Sequence, residues 1–170
     1  MRTKRPRGGF EPPAWRRALL RLVLAAALAG SLDAINLTVS GSWTNVIDVS
    51  DLQGGPGSDL IASYESPLNQ IALTISSASG LNWQISVRKI DSVWNASLQL
   101  AAKRTSSGSG TGTVSGGTSY LTLTSTDQTL FTGRGNKSSV AIRLRLSGVS
   151  VDIPPNTYST TVVYTVVQTS

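Results

Sequence analysis

The sequence predicts an all-β fold: a single antiparallel two-sheet β-sandwich of about eight or nine strands, following an N-terminal signal helix. Of the 136 residues in 35–170, 41 are Ser or Thr, whereas Glu occurs once and Lys three times. Helices prefer Ala, Leu, Glu and Lys on their exposed faces, whereas strands prefer Thr, Val, Ile and aromatic residues. Short runs of alternating apolar and polar residues also recur along this part of the chain, which is typical of strands.

The first 34 residues have the layout of an export signal. They carry seven of the fifteen basic residues against two acids, and the apolar run 22–29 follows the last of these bases. This run is shorter than the roughly 20 apolar residues that a membrane-spanning helix needs. Small residues offer cleavage near Ala29 or Ala34. We therefore predict a signal peptide over 1–34 and one domain over 35–170. The pair Arg16-Arg17 leaves the Sec and twin-arginine routes both open.

Because the bases cluster in the leader, the remainder of the chain is nearly neutral, with eight basic residues against seven acids. The high isoelectric point therefore does not indicate nucleic-acid binding. There is no Cys to form disulfides, and a domain of this size can bury a core without them. We expect a secreted, periplasmic or cell-surface protein that meets a membrane only during export.

The clearest alternating run lies within 140–146, where Val, Ile and Leu alternate with Arg143 and Arg145. This pattern is typical of a strand in an antiparallel sheet with one face on the core and one in water. Similar runs start at Ile35, Ile71, Trp83, Leu98 and Leu121. The last run, 158–167, is apolar on both faces, which is typical of a central strand or of one covered by a partner.

Turn residues separate these runs. Gly, Pro, Ser or Asn residues mark turns at 54–57, 79–80, 133–136 and 154–156. The longest such segment, 106–117, is a Gly/Ser/Thr tract with little apolar content, and we predict that it forms an exposed loop or hairpin tip.

Catalytic chemistry is poorly supported. The chain has no His and no Cys, which excludes the usual hydrolytic triads and the His/Cys ligand sets for zinc, copper and haem. Lys89, Lys103 and Lys137 lie in polar surroundings, so we interpret them as solvated surface charges and not as members of a Ser–Lys dyad. Because groups for general acid–base catalysis are scarce, we expect a protein that is not an enzyme and needs no cofactor.

The sequence offers residues for two kinds of binding site. Asp48, Asp51 and Asp59 flank a Gly-rich loop that could offer oxygens to calcium, but their spacing is not that of an EF-hand and Asp is common in turns. We predict no metal site and retain these three as calcium candidates. Trp94 and Tyr120 are the candidates for stacking against a glycan, whereas Trp83 is in phase with core residues and is expected to be buried.

The C-terminal segment carries a family resemblance. In 153–167, two prolines and Tyr158 precede alternating Thr and Val. This ending resembles the last strand of spore coat protein U and related fimbrial pilin-like domains. The segment 131–133 and the 140–146 strand resemble their penultimate region. The resemblance covers roughly the last 40 residues, without a Cys pair. The ending is also similar to Gram-positive WxL surface domains, with 164–166 in place of Trp-x-Leu.

The resemblance implies an immunoglobulin-like sandwich that can lack one strand. In pilins, a chaperone and then a neighbouring subunit fill the gap by β-strand addition, in which main-chain hydrogen bonds give affinity and alternate side chains fix the register. Here Ile35, Leu37 and Val39 would be the donated side chains. The alternative, which is the commoner arrangement, is that they form the first strand of their own domain.

The resulting expectation is a non-catalytic structural or surface subunit, pilin-like or coat-like, that assembles by strand addition. Its partners would be copies of itself or related subunits and a periplasmic chaperone. The alternative is a monomeric surface module that binds a glycan or another extracellular ligand.

Overall fold

The computed structural model describes residues 34–170, and the predicted signal helix and its basic residues precede this part of the chain. Within the described part, no helix is long and apolar enough to span a membrane. The only helical segment there is a single 3-10 turn at Val49–Asp51.

The described residues form ten strands in two antiparallel sheets. The strands are β1 (Asn36–Ser40), β2 (Ser63–Glu65), β3 (Ile71–Ser76), β4 (Asn82–Val93), β5 (Gln99–Arg104), β6 (Thr113–Ser115), β7 (Leu121–Thr122), β8 (Gln128–Arg134), β9 (Lys137–Ser147) and β10 (Ser159–Thr169). The larger sheet has the order β1-β3-β9-β5-β7, and β2 also pairs with β9. The smaller sheet has the order β10-β4-β8-β6.

The prediction of an antiparallel all-β protein with two sheets is confirmed. There are ten strands among residues 34–170 where about eight or nine were expected. Two of the ten, β2 and β6, have three residues each and lie in segments without a run of alternating apolar residues. They form because they pair with the long strands β9 and β8.

The alternating residues form the core between the two sheets. Val140 and Ile142 on β9 are fully buried, and so are Ile85 and Val87 on β4. Trp83 is also fully buried, as its phase predicts. Its indole Nε1 donates to the carbonyl of Gly135 at 2.8 Å, which satisfies the one polar atom that the ring takes into the core.

The Gly/Ser/Thr tract 106–117, called the glycine strap below, is mostly exposed, as its composition predicts. It nevertheless packs on the sheet, because its backbone pairs with the β8–β9 region: Ser109 bridges Ser138, and β6 pairs with β8. A Cβ atom on Gly110 would lie 2.7 Å from the carbonyl oxygen of Asn136. The strap therefore packs through its bare backbone, which composition-based reasoning about apolar side chains cannot detect.

Two buried cations hold the strap. Arg104 donates from Nε to the carbonyl of Gly116 at 2.9 Å, and Lys137 donates from Nζ to the carbonyl of Gly112 at 3.2 Å. The interpretation of Lys137 as a solvated surface charge is wrong, because the residue is only 5% exposed. Its charge is balanced by carbonyl dipoles of the strap, which lie at least 25 residues away in sequence.

Candidate functional site

The C-terminal strand β10 is an edge strand. It pairs along its whole length with β4 and, within residues 34–170, has no strand on its other side. Of the two expectations for a strand apolar on both faces, a central position is therefore wrong for β10, whereas cover by a partner stays a prediction. Val162, Tyr164 and Val166 pack against the core, whereas Val163 is half-buried and Val167 is 48% exposed on the opposite face.

The free edge of β10 is unprotected. Natural sheets shield their edges with short strands, prolines, bulges or charged residues, because unpaired backbone groups on an edge recruit other strands. The 11 residues of β10 contain no charged residue, no Pro and no Gly, and they are mostly Thr and Val. The one register irregularity against β4 lies at the strand's first residue. This edge is thus a long template for β-augmentation.

The N-terminal strand β1 is the edge of the larger sheet, and it carries the three candidate donor residues. It pairs with β3 of the same chain, with Leu37 opposite Ile75 and Val39 opposite Leu73. Ile35 and Leu37 are half-buried against the core, and Val39 is 44% exposed. The long segment 41–62 that follows contains only the 3-10 turn and an isolated bridge. In this structure β1 therefore pairs with one strand of its own chain, β3, and its apolar side chains are only partly buried.

Strand β10 also carries an unsatisfied polar group. The hydroxyl of Tyr164 on β10 is buried and has no hydrogen-bond partner among the described residues. Burial raises the pKa of this phenol well above its usual value. A buried hydroxyl without a hydrogen-bond partner lowers the free energy of unfolding.

A second group of functional side chains lies on the outer face of the larger sheet. This outer-face cluster consists of Glu65, Lys103, Tyr120, Arg143 and Arg145. The hydroxyl of Tyr120 donates to Oε1 of Glu65 at 2.6 Å, and Nη1 of Arg143 lies 2.7 Å from Oε2 of the same carboxylate. Two further cations lie over the Tyr120 ring, with Arg145 Cζ 4.1 Å and Lys103 Nζ 4.4 Å from its centre.

The electrostatics of the cluster follow from these contacts. The hydrogen bond from Tyr120 and the nearby positive charge of Arg143 lower the pKa of Glu65, so this carboxylate stays ionised. Burial and the negative charge of Glu65 together raise the pKa of Tyr120 to about 12. The phenol is therefore a hydrogen-bond donor at neutral pH, held in place by the carboxylate.

The two candidates for glycan stacking are in different surroundings. Trp94 is half-buried, its Nε1 donates to the carbonyl of Leu98 at 2.9 Å, and Lys89 Nζ lies 5.0 Å from the ring centre. Tyr120 belongs to the outer-face cluster. Within residues 34–170, no ring–ring contact joins Trp94 to Tyr120. The structure therefore does not bring the two together as one aromatic platform.

The three calcium candidates have local hydrogen-bonding roles. Asp48 and Asp51 cap the 3-10 turn reciprocally, and Asp59 Oδ1 accepts from the amides of Leu60 and Val151 at 2.8 and 2.9 Å. Hydrogen bonds from Ser50 lower the pKa of Asp48, and those backbone amides lower the pKa of Asp59. In the described part of the chain, no three His, Cys, Asp or Glu residues lie close enough together to hold a metal ion.

The sequence indicates several members of the outer-face cluster but not the cluster itself. The alternation in β9 predicts that Arg143 and Arg145 share the wet face, and Tyr120 is a candidate for glycan stacking. Glu65 and Tyr120 are 55 residues apart, and only the pairing of β2 and β9 brings the carboxylate to the cluster.

No protein-family model matches the chain, and neither the curated proteins nor the solved structures yield a match. The resemblance of the C-terminal strand to pilin-like domains thus stays a prediction.

Proposed function

We propose that this protein is a non-catalytic, exported structural subunit, pilin-like or coat-like, whose copies assemble at the cell surface by β-strand addition on an immunoglobulin-like sandwich. The observation that carries the proposal is the unprotected edge of β10, 11 residues long and free of charge and Pro. The predicted leader and the resemblance of the last strand agree with this role.

The acceptor is the free edge of β10, and the donor is the segment 35–39 of another copy. Ile35, Leu37 and Val39 alternate along that segment, as a strand with one apolar face requires. To be donated, β1 must leave β3 of its own chain, where it makes five register pairs and its apolar side chains are only partly buried. A periplasmic chaperone would cover the β10 edge before assembly.

The first test is the assembly state of the exported protein, purified from cells that express the full chain. Native mass spectrometry and light scattering are measured before and after heating in detergent. We expect filaments or heat-resistant ladders of whole-number multiples, because strand addition uses many main-chain hydrogen bonds. A stable monomer under all conditions would overturn the proposal.

A pair of variants on β1 tests the donor. Leu37→Lys places a charge on the apolar face of the segment, whereas Thr38→Lys places the same charge on its exposed face. We expect both variants to fold, as judged by circular dichroism, and only Leu37→Lys to remain monomeric. Normal assembly of Leu37→Lys, or loss of its folded state, would contradict a donated strand; the latter would identify β1 as an obligatory core strand.

The alternative function is a monomeric surface module that binds an extracellular ligand such as a glycan. The observation in its favour is the outer-face cluster, where an aromatic ring and cations share an open sheet face. A soluble monomer that retains binding to a polysaccharide would favour this alternative over assembly.

A further inference from the structure

The outer face of the larger sheet concentrates positive charge, although residues 35–170 as a whole are nearly neutral. Of the eight basic residues in 35–170, three belong to the outer-face cluster. Lys103 on β5 lies directly opposite Arg143 on β9. Like charges in directly opposed positions destabilise a sheet, so folding alone does not account for this arrangement.

The single carboxylate of the cluster is already engaged. Glu65 accepts from the Tyr120 hydroxyl and pairs with Arg143. Within residues 34–170, neither Lys103 nor Arg145 has a carboxylate within 4.0 Å. The Nε atom of Arg145 is buried and has no hydrogen-bond partner in the same part of the chain. One guanidinium and one ammonium therefore have no anionic partner in the described structure.

The Tyr120 ring fixes the positions of these two cations. Its hydroxyl is anchored by Glu65, and its ring contacts both Lys103 and Arg145. On β5, Leu100 and Ala102 face the core, so Ala101 between them belongs to the outer face, yet it is only 3% exposed. The side chains of the cluster therefore cover this part of the sheet. Because Tyr120 holds the two cations in position, they are largely pre-organised for a ligand.

We propose that the outer-face cluster binds an anionic group, a carboxylate or a sulfate, of an acidic polysaccharide. The guanidinium of Arg145 offers a planar fork of donors to two anionic oxygens, and Lys103 adds a point charge beside it. The Tyr120 ring lies against both cations and is partly exposed, so it holds them at the surface where the sugar that carries the anion can approach. The site lies on the face of a sheet, which a polymer can cross without entering a cavity.

This binding surface is separate from the assembly edges. It is built from β2, β5 and β9 and from the residue before β7, whereas the proposed acceptor is β10 and the donor is β1. A variant of the cluster should therefore assemble as the unmodified protein does. Failure of polysaccharide binding and failure of strand addition are distinguishable.

The test compares two double variants of the exported protein with the same loss of charge. Lys103→Gln/Arg145→Gln removes the two unpaired cations, and Arg88→Gln/Arg134→Gln removes two cations from the smaller sheet. Binding to polygalacturonate, dextran sulfate and neutral dextran is measured by isothermal titration calorimetry at physiological salt. The first polymer carries carboxylates and the second sulfates, so the comparison identifies the anion.

We expect the protein to bind at least one anionic polymer and not neutral dextran. The cluster variant should bind about tenfold more weakly, because a hydrogen bond to a charged group is lost. The control variant should stay within about twofold, since distant surface charges are screened at this salt concentration. Equal weakening in both variants would show general charge attraction, and binding of neither anionic polymer, or no effect of the cluster variant, would equally overturn the proposal.

Discussion

At the scale of single residues, Tyr120 is the centre of the outer-face cluster, because its hydroxyl bonds to Glu65 and its ring contacts two cations. Burial, together with the Glu65 carboxylate that accepts a hydrogen bond from this hydroxyl, raises the pKa of Tyr120 to about 12. We predict that Glu65→Gln lowers this pKa toward the ordinary value of 10.0, because the carboxylate's charge is lost while burial persists. The ultraviolet difference titration between each protein and its Tyr120→Phe counterpart isolates this phenol from the other tyrosines.

The same shift has a consequence for alkaline stability. A phenol with a raised pKa in the folded state favours folding below pH 10, and this contribution is lost as pH rises from about 10 toward 12. Tyr120→Phe should therefore lose less stability over this range than the unmodified protein. A Tyr120 titration that does not change in Glu65→Gln would contradict the role assigned to the carboxylate.

Gly112 provides a test of close backbone packing in the glycine strap. A Cβ at this position would collide with the carbonyl oxygen of Arg134, which is fixed backbone. We predict that Gly112→Ala lowers the free energy of unfolding by about 1–3 kcal/mol, the usual cost of overpacking. Chemical denaturation gives the value.

Gly55→Ala is the matched control for this substitution, since a Cβ there meets nothing within 4 Å and the backbone is not left-handed. We expect it to change stability by less than about 0.5 kcal/mol. Similar values for Gly112→Ala and Gly55→Ala would mean that the strap does not pack tightly on the β8–β9 region.

At the residue scale, burial was predictable where it follows alternation. Trp83 and Ile142 are buried as their phases predict. Lys137 was not predictable in this way, because its Nζ is satisfied by carbonyl groups of the strap. Sequence reasoning weighs neighbouring residues, whereas these acceptors come from a distant segment that folds back on β9.

At the scale of the element, the edge strand β10 yields a prediction about association. Lys on an edge strand discourages pairing with other chains. Val167 is exposed on the outer face of β10, so Val167→Lys should reduce higher assembly in light scattering while changing stability by less than about 0.5 kcal/mol.

Val151→Lys is the matched control for β10, because Val151 is also a valine, is 57% exposed and lies in the segment between β9 and β10. It adds the same charge at a distance from the strand edge. Unreduced assembly by both variants would argue against β10 as the acceptor. A loss of assembly in Val151→Lys as great as in Val167→Lys would point to net charge as the cause.

Strand composition predicted most of the elements but not the place of β10 in its sheet. The alternation in 158–167 indicates a strand, and its two apolar faces indicate either a central position or cover by a partner. The strand is at an edge because it pairs with β4, 66 to 87 residues earlier in the chain, and with no other strand within residues 34–170. Pairing over that distance depends on the order of all the strands, which local periodicity does not contain.

At the scale of the whole molecule, the candidate site shows the same limit. The odd positions of β9 predicted a charged face, and the structure places Arg143 and Arg145 there. The unpaired state of Arg145 and the engagement of Arg143 by Glu65 depend on β2, a three-residue strand without a strong pattern. A site assembled from β2, β5, β9 and the residue before β7 is a property of the sheet and not of any one segment.

The glycine strap connects the two sheets, because it runs from the end of β5 in the larger sheet to β6 in the smaller one. At the start of β9, Nζ of Lys137 donates to two backbone carbonyl groups of the strap. A hydrogen bond to a charged group contributes about 1.5–3 kcal/mol, which is large beside the stability of a typical domain. We therefore expect this lysine to set the local stability of the connection.

Lys137→Met should release the strap while conserving side-chain volume. We predict about tenfold or greater loss of hydrogen-exchange protection at the amides of Ser109 and Gly112, which donate to the carbonyls of Ser138 and Asn136 at 2.8 and 3.3 Å. Protection of the core strands β4 and β9 should fall much less, because the local opening does not require global unfolding. Lys103→Met, the same change on the outer face, should leave strap protection unchanged. If protection at Ser109 and Gly112 survives in Lys137→Met, the glycine backbone contacts alone hold the two sheets together at this end, and the buried cation has no part in it.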